Sequence, residues 1–342
     1  GEMSGASSMI LEHAPFGRRG YFASFTLQGV QAGQLLAAAV FLPLAHFMPK
    51  DQFAAWGWRI PFLLSIVVII VGYIIRREVD ETPAFAEEQA HGEVPPSPVV
   101  EVLRQSWGDV LRVVGMALAA VTALLATVFG ATYAVQPAYG IGFPASVFLW
   151  VPVLGNLCSV ILIPLVGNLS DKIGRRPPVI VGVVSSGIFA FGYLYAISIH
   201  SIWLSLVFSL LMWGVAYQGF NGVFPSLFPE LFRTRVRVCG MAIGQNVGTT
   251  LCALLPSLFV AVAPPGSSNI PLKIGFLTFG ICLVAAFAAF TTRETYRIRL
   301  ADLGDRNAIP VPKAEYERLR SEAITSASKD AAEPEFASKV RS

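Results

Sequence analysis

The sequence predicts an all-α, multi-pass membrane protein, and three observations carry that prediction. Apolar runs recur along the chain at about the length a helix needs to cross a bilayer, roughly 20 residues. Charged residues make up only 14% of the 342 residues and hydrophobic ones 54%, where an ordinary soluble domain has about 25% charged. Basic residues gather in every second connection between the runs, the asymmetry that marks cytoplasmic loops.

The first span is partial, residues 1–14, and eight follow at about 21–47, 57–75, 112–136, 145–167, 178–199, 202–228, 237–262 and 271–292. Arg18 and Arg19, Arg76 and Arg77, Lys172 with Arg175 and Arg176, Arg233 with Arg235 and Arg237, and Arg293 with Arg297 and Arg299 fall on one side. Little beyond Lys50, Arg59 and Lys273 falls on the other. The basic side is therefore expected in the cytoplasm of a cell inner membrane, together with the C-terminus. A long connection, 76–111, follows the third span. Within it Ser97 can cap a helix opening at Pro98, and Val100, Leu103 and Trp107 share an apolar face suited to a membrane surface. From about Ala301 the chain is polar and reads as a mobile cytoplasmic tail with one helix-prone piece, Lys313 to Ala323. The chain thus divides into 1–75, a 76–111 connection, 112–299 and a 300–342 tail.

The dodecapeptide Gly167-Asn168-Leu169-Ser170-Asp171-Lys172-Ile173-Gly174-Arg175-Arg176-Pro177-Pro178 is polar and basic between two apolar runs. Its charges would be costly in lipid, so it reads as a tight surface loop. An internal repeat accompanies it. Glu12 precedes a basic turn at Arg18 and Arg19 and a helix carrying small residues. Glu230 precedes Arg233, Arg235 and Arg237 and a helix carrying Gly240, Gly244 and Gly248. Both copies run the same way through the membrane, as in parallel two-bundle carriers. Six spans follow the central connection and only a cut-short set of three precedes it, so three further spans are expected before Gly1, and the chain alone is expected to be inactive.

Polar residues inside the spans are the candidates for chemistry. Thr122, Phe129, Tyr133 and Gln136 are expected on one face of the fourth span, and Trp213, Tyr217 and Asn221 recur every four residues on the seventh, with Gln218 beside them. Gln245 and Thr249 are four apart on the eighth, Asn156 lies in the fifth, and Gln28 and Gln31 lie in the second. Each either lines a solute cavity or ties helix to helix, at about 0.6–2 kcal/mol per bond. Glu2, a carboxylate early in an apolar span, is expected to be paired or protonated, either carrying a proton or bonding a preceding helix. Glu12 and Glu230, beside basic turns, suit ion pairs that close a gate.

Other chemistry lacks its residues. There is no G-x-x-x-x-G-K-[ST], H-E-x-x-H or G-x-S-x-G motif, so neither an enzyme nor a nucleotide-driven pump is expected, and no cofactor or metal. A net charge of +3 does not argue for nucleic acid. Cys158, Cys239, Cys252 and Cys282 lie in or beside apolar runs, with no paired spacing, and read as small hydrophobes.

The Gly167–Arg176 stretch resembles the G-x-L-x-D-x-x-G-R-R signature of the major facilitator superfamily. Glu12-His13-Ala14-Pro15, Arg18-Arg19-Gly20, Trp58-Arg59-Ile60-Pro61-Phe62, Glu81-Thr82-Pro83 and Phe228-Pro229-Glu230-Leu231-Phe232 resemble its metabolite:proton symporter branch, and some of these pieces are also similar to sugar porters. The resemblance implies two six-helix bundles, with the first three helices missing here. It implies a monomeric secondary active transporter that works by proton-coupled symport of a small organic acid or zwitterionic metabolite, by alternating access. A cytoplasmic gate would be formed by Glu12, Arg18, Arg19, Asp171, Arg175, Arg176, Glu230, Arg233 and Arg235. A facilitator or exporter of another solute, and a transport-dead membrane sensor of the same fold, remain the alternatives.

Overall fold

The computed structural model describes residues 2–78, 98–148 and 150–332, apart from a few side chains within them. These residues are helical, with no strand among them. Helix α1 is Glu2–His13, α2 Arg19–Phe47 and α3 Ile60–Glu78. After the connection come α4, Pro98–Gln105, α5, Trp107–Val135, α6, Trp150–Ile173, and α7, Arg176–Ser198. The chain ends through α8, Ile202–Glu230, α9, Thr234–Val262, α10, Ile270–Thr291, and α11, Lys313–Ala332. Among the described residues seven helices are long and apolar enough to cross a membrane. The 29-residue α2 matches them in length. The expected Glu81-Thr82-Pro83 motif and Ser97 lie outside the described residues.

Several helices run past the limits that charge alone suggested. α5 begins at Trp107 rather than near 112, and α6 continues through Asp171 to Ile173 rather than stopping at 167. The expected loop at 167–178 is therefore mostly helix. The reversal is confined to Gly174 and Arg175, with Gly174 at φ +102, a conformation that side chains with a Cβ rarely adopt. Here Asp109 is buried within reach of Arg112 at 2.9 Å and Arg293 at 3.6 Å, and Asp171 is paired as described below, so the helices continue.

Packing follows the small residues. A Cβ on Gly167 would come 2.6 Å from the Gly20 carbonyl, which is how closely α6 crosses α2. A Cβ on Gly244 would strike Val113, and one on Gly248 would strike Ala117, so the glycine face of α9 seats on α5, a close small-residue contact of the kind common in membranes. On α4, Val102 is buried, whereas Val100, Leu103 and the following Trp107 face outward, the arrangement of a helix lying along a membrane surface. The apolar side chains of α3 are exposed nearly all round, a surface that lipid or other helices solvate.

The tail is not free. Leu303, Val311 and Tyr316 are buried, and α11 is longer than the expected Lys313–Ala323 piece. Tyr316 packs edge-on against Phe16 at 5.4 Å and Tyr296 at 5.1 Å. These anchors enter an existing crevice, which composition cannot reveal.

Candidate functional site

Two polar features lie where α1 and α2 meet the later helices. The first is a buried charge cluster at the Arg-rich end. α6 delivers Ser170 and Asp171 in its last turn, the turn places Arg175, and α8 ends on Glu230. The Arg175 guanidinium donates from Nε and Nη2 to the two Glu230 oxygens at 3.1 and 3.0 Å, and from Nη1 to Asp171 Oδ1 at 2.8 Å and Ser170 Oγ at 2.7 Å. Burial alone would lower the Arg175 pKa. The Glu230 and Asp171 carboxylates outweigh it and hold the pKa above its ordinary value.

From the other side, Arg19 Nε lies 3.4 Å from Glu230 Oε1. Its Nη2 donates to the carbonyls of Thr295, Tyr296 and Ile298 at 3.3, 3.3 and 2.8 Å. Thr295 Oγ1 donates to Glu230 Oε2. Asp171 also receives the Gly20 and Tyr21 backbone N–H groups at 2.8 and 2.9 Å. It thus caps the start of α2 from another helix, with its charge against the positive end of the helix dipole. Glu294 does the same for α7, accepting from the Arg175 and Arg176 N–H groups at 2.8 and 3.2 Å. Glu12 pairs with Arg237.

These pairs follow the internal repeat. In each copy the arginine stands seven residues after the glutamate, Glu12 with Arg19 and Glu230 with Arg237. The contacts cross over, Glu12 to Arg237 and Glu230 to Arg19. Each copy supplies one carboxylate and one guanidinium to the other.

Other expected gate residues sit outside the cluster. Arg18 lies over the Tyr21 and Phe22 rings at 4.8 and 5.0 Å. Arg176 donates to the Phe290 carbonyl. Arg233 is exposed, 3.9 Å from Asp305, and Arg235 bonds Glu101 of α4 at 3.0 Å. Arg237, Glu294, Thr295 and Tyr316 were not anticipated. The Tyr316 hydroxyl donates to the Asp171 carbonyl at 2.8 Å. Burial and the nearby Asp171 raise its pKa, so it stays protonated and able to donate. Arg320 donates to Asn168 Oδ1 at 2.7 Å.

The second feature is a cavity of about 220 Å³ between α1–α2 and α5, α8 and α9. Gln31, Gln34, Asn221, Gln245 and Thr249 supply its polar wall, and Trp213 and Tyr217 much of its aromatic one. Of the expected residues it gathers Gln31, Trp213, Tyr217, Asn221, Gln245 and Thr249. Gln34 was missed, although it continues the three-residue step from Gln28 and Gln31. Gln28 instead donates to the Val160 carbonyl at 2.8 Å and ties α2 to α6. Asn156 donates from Nδ2 to Gln34 Oε1 at 2.8 Å, one step behind the wall. Glu2 lies in the first turn of α1, before the cavity-lining Met3, but its side chain is outside the described set.

The polar face expected on the fourth span does not point here. Thr122 is buried 3.1 Å from Ser186 Oγ, and Phe129 stacks on Tyr133. Gln136 is exposed beyond the end of α5. Alanines 117, 120 and 123 face the cavity instead, and a π turn at Leu125–Phe129 shifts the register that a uniform 3.6-residue period assumes. Tyr133 lines a larger cavity, about 780 Å³, between α5, α7 and α10. Among the described residues that space touches neither α1 nor α2.

Residues 1–256 match the family described as Major Facilitator Superfamily. The chain is 27% identical over 301 residues to the Shikimate transporter of Escherichia coli (strain K12), covering 87% of this chain and 68% of that one. It is 30% identical over 297 residues to the Inner membrane metabolite transport protein YhjE of the same organism, covering 85% and 65%. It is 30% identical over 269 residues to the Proline/betaine transporter of Salmonella typhimurium, covering 75% and 53%. The chain therefore spans between about half and two thirds of the length of these relatives. The solved structure of the proton:xylose symporter XylE shares the fold with a TM-score of 0.68 at 17% identity, over 84% of this chain and 67% of that one. With its signature stretch, its crossed repeat and its multi-pass helical fold, the chain belongs to the major facilitator superfamily.

Proposed function

We propose that the protein is a secondary carrier that moves a small organic acid or zwitterion by alternating access, coupled to protons. The observation that carries this reading is the pairing of a polar cavity between two halves with a buried, reciprocally crossed ion cluster sealing one end. Separation of the halves would break the Glu230–Arg19 and Glu12–Arg237 contacts together and open the cavity at that end. Relatives named for shikimate and for proline or betaine support the solute class. The basic end lies in the cytoplasm of the inner membrane by the distribution of Arg and Lys. Residues 1–75 belong to one bundle and 112–299 to the other, with 76–111 between them, and the tail after residue 300 fastens on the cytoplasmic end.

Coupling to an ion gradient fits a chain without a nucleotide loop. One proton crossing 100 mV supplies about 2.3 kcal/mol, nearly two decades of solute concentration. Glu2, beside the cavity-lining Met3, is the candidate proton carrier. Uptake of labelled shikimate and proline by cells making the full-length protein is expected to collapse on adding an uncoupler. Uptake indifferent to the uncoupler would replace symport by facilitated diffusion.

A further inference from the structure

The wall of the cavity contains a short relay of amides whose polarity is fixed at one end. In α8 a π turn, Leu210–Ala216, leaves the Trp213 carbonyl beside the side chain of Gln218. Gln218 Nε2 donates to that carbonyl at 2.6 Å, and Asn221 Nδ2 donates to Gln218 Oε1 at 3.0 Å. Gln218 is fully buried and Asn221 is 3% exposed.

A carbonyl can only accept, so Gln218 must turn its NH₂ group to Trp213. Its oxygen then faces Asn221, which must answer with its own NH₂ group. The orientation of both amides follows from one backbone oxygen, where an isolated amide could sit either way round. What remains to Asn221 is its Oδ1, an acceptor with no partner among the described residues, together with one Nδ2 hydrogen. Gln31 lines the same cavity, is more than nine-tenths buried, and its Oε1 is also without a partner. The buried Gln31 Oε1 is costly to leave empty, and with Asn221 Oδ1 beside the same space a solute that supplies a donor is favoured over one that cannot.

We propose that Gln218 is a positioning residue that holds the Asn221 amide with its oxygen toward the cavity, so that the carrier selects solutes bearing an N–H or O–H donor at that point. This rests on the cavity being the solute site. The predicted substrates are ammonium- or hydroxyl-bearing acids, and analogues in which the donor is methylated or oxidised away are disfavoured.

The test uses the full-length protein in proteoliposomes and two matched pairs of probes, L-proline against N,N-dimethylproline and L-lactate against pyruvate. Thiol labelling of the Thr249→Cys variant reports occupancy. The wild type is expected to prefer the donor-bearing member of a pair at least ~10-fold in kcat/KM or in protection of the thiol. Gln218→Met, which keeps volume but not the amide, is expected to raise KM for the donor-bearing member. It should leave its donor-free analogue unchanged, bringing the ratio below ~3-fold. A simply structural role would lower both members together. If Gln218→Met does not reach the membrane, Asn221→Leu decides, with the same loss of preference expected. Protection by these solutes with an unchanged preference in the variants, or equal handling of each pair by the wild type, would overturn the relay alone. Failure of all four probes to protect the thiol would overturn the cavity as the site, and the relay with it.

Discussion

Arg175 and Asp171 show how much one side chain can hold when it is buried at a crossing of helices. Arg175 joins α6, α7 and α8, and Asp171 joins α6 to the start of α2. Truncation of either removes one partner from a buried network of charges, and breaking a buried pair costs up to about 3–5 kcal/mol. Loss of a helix cap adds about 1 kcal/mol. Asp171→Ala is therefore expected to insert in the membrane but to lower the unfolding temperature in detergent and to abolish most uptake. Wild-type uptake at wild-type protein levels would refute the latch. The register of Asp171, Gly174 and Arg175 was legible in the sequence because the motif is short and local. The crossing of Glu12 to Arg237 was not, since spacing within each copy says nothing of which copy the partner comes from.

At the scale of helices, sequence reading succeeded with length and only unevenly with direction: the expected faces of α8 and α9 line the cavity, and that of α5 does not. Hydropathy found the spans to within several residues, erring where paired charges let α5 and α6 run on. It could not orient all of them, because a polar face in a membrane helix is as well satisfied by a neighbouring helix as by a cavity. Thr122 took the first course and Asn221 the second. The tail was misread for a different reason. α11 has too few large apolar residues to announce a core, yet Tyr316 enters a crevice between Phe16 and Tyr296 and bonds Asp171. Its docking includes a hydrogen bond worth about 1 kcal/mol and two ring contacts of about 0.5–1.5 kcal/mol each. Tyr316→Ala should release α11, with tryptic cleavage after Arg318 at least ~10-fold faster, the change that ~1.4 kcal/mol produces. Equal cleavage of both proteins would mean that the helix holds by other contacts.

For the molecule as a whole, the cavity wall and the seal must be read together. Asn221 and Gln31 line the cavity, Gln218 lies behind it, and Gln28 turns to α6. Asn221→Cys and Gln31→Cys are thus expected to react with small aqueous thiol reagents and to be protected by transported solute. Gln28→Cys should react slowly and without protection. Protection that did not distinguish these positions would argue for a different solute path. The crossed pairs also impose an order on synthesis. Glu12 and Arg237 are 225 residues apart in the chain, a gap that a ribosome adding about 5–20 residues per second closes in roughly 11–45 s. Through that interval the early helices wait in the membrane with Glu12 and Arg19 hydrated at its surface. The crossed pairs can form only when the end of α8 and the start of α9 arrive, so the contacts that Glu12 and Arg19 make wait for the second copy of the repeat.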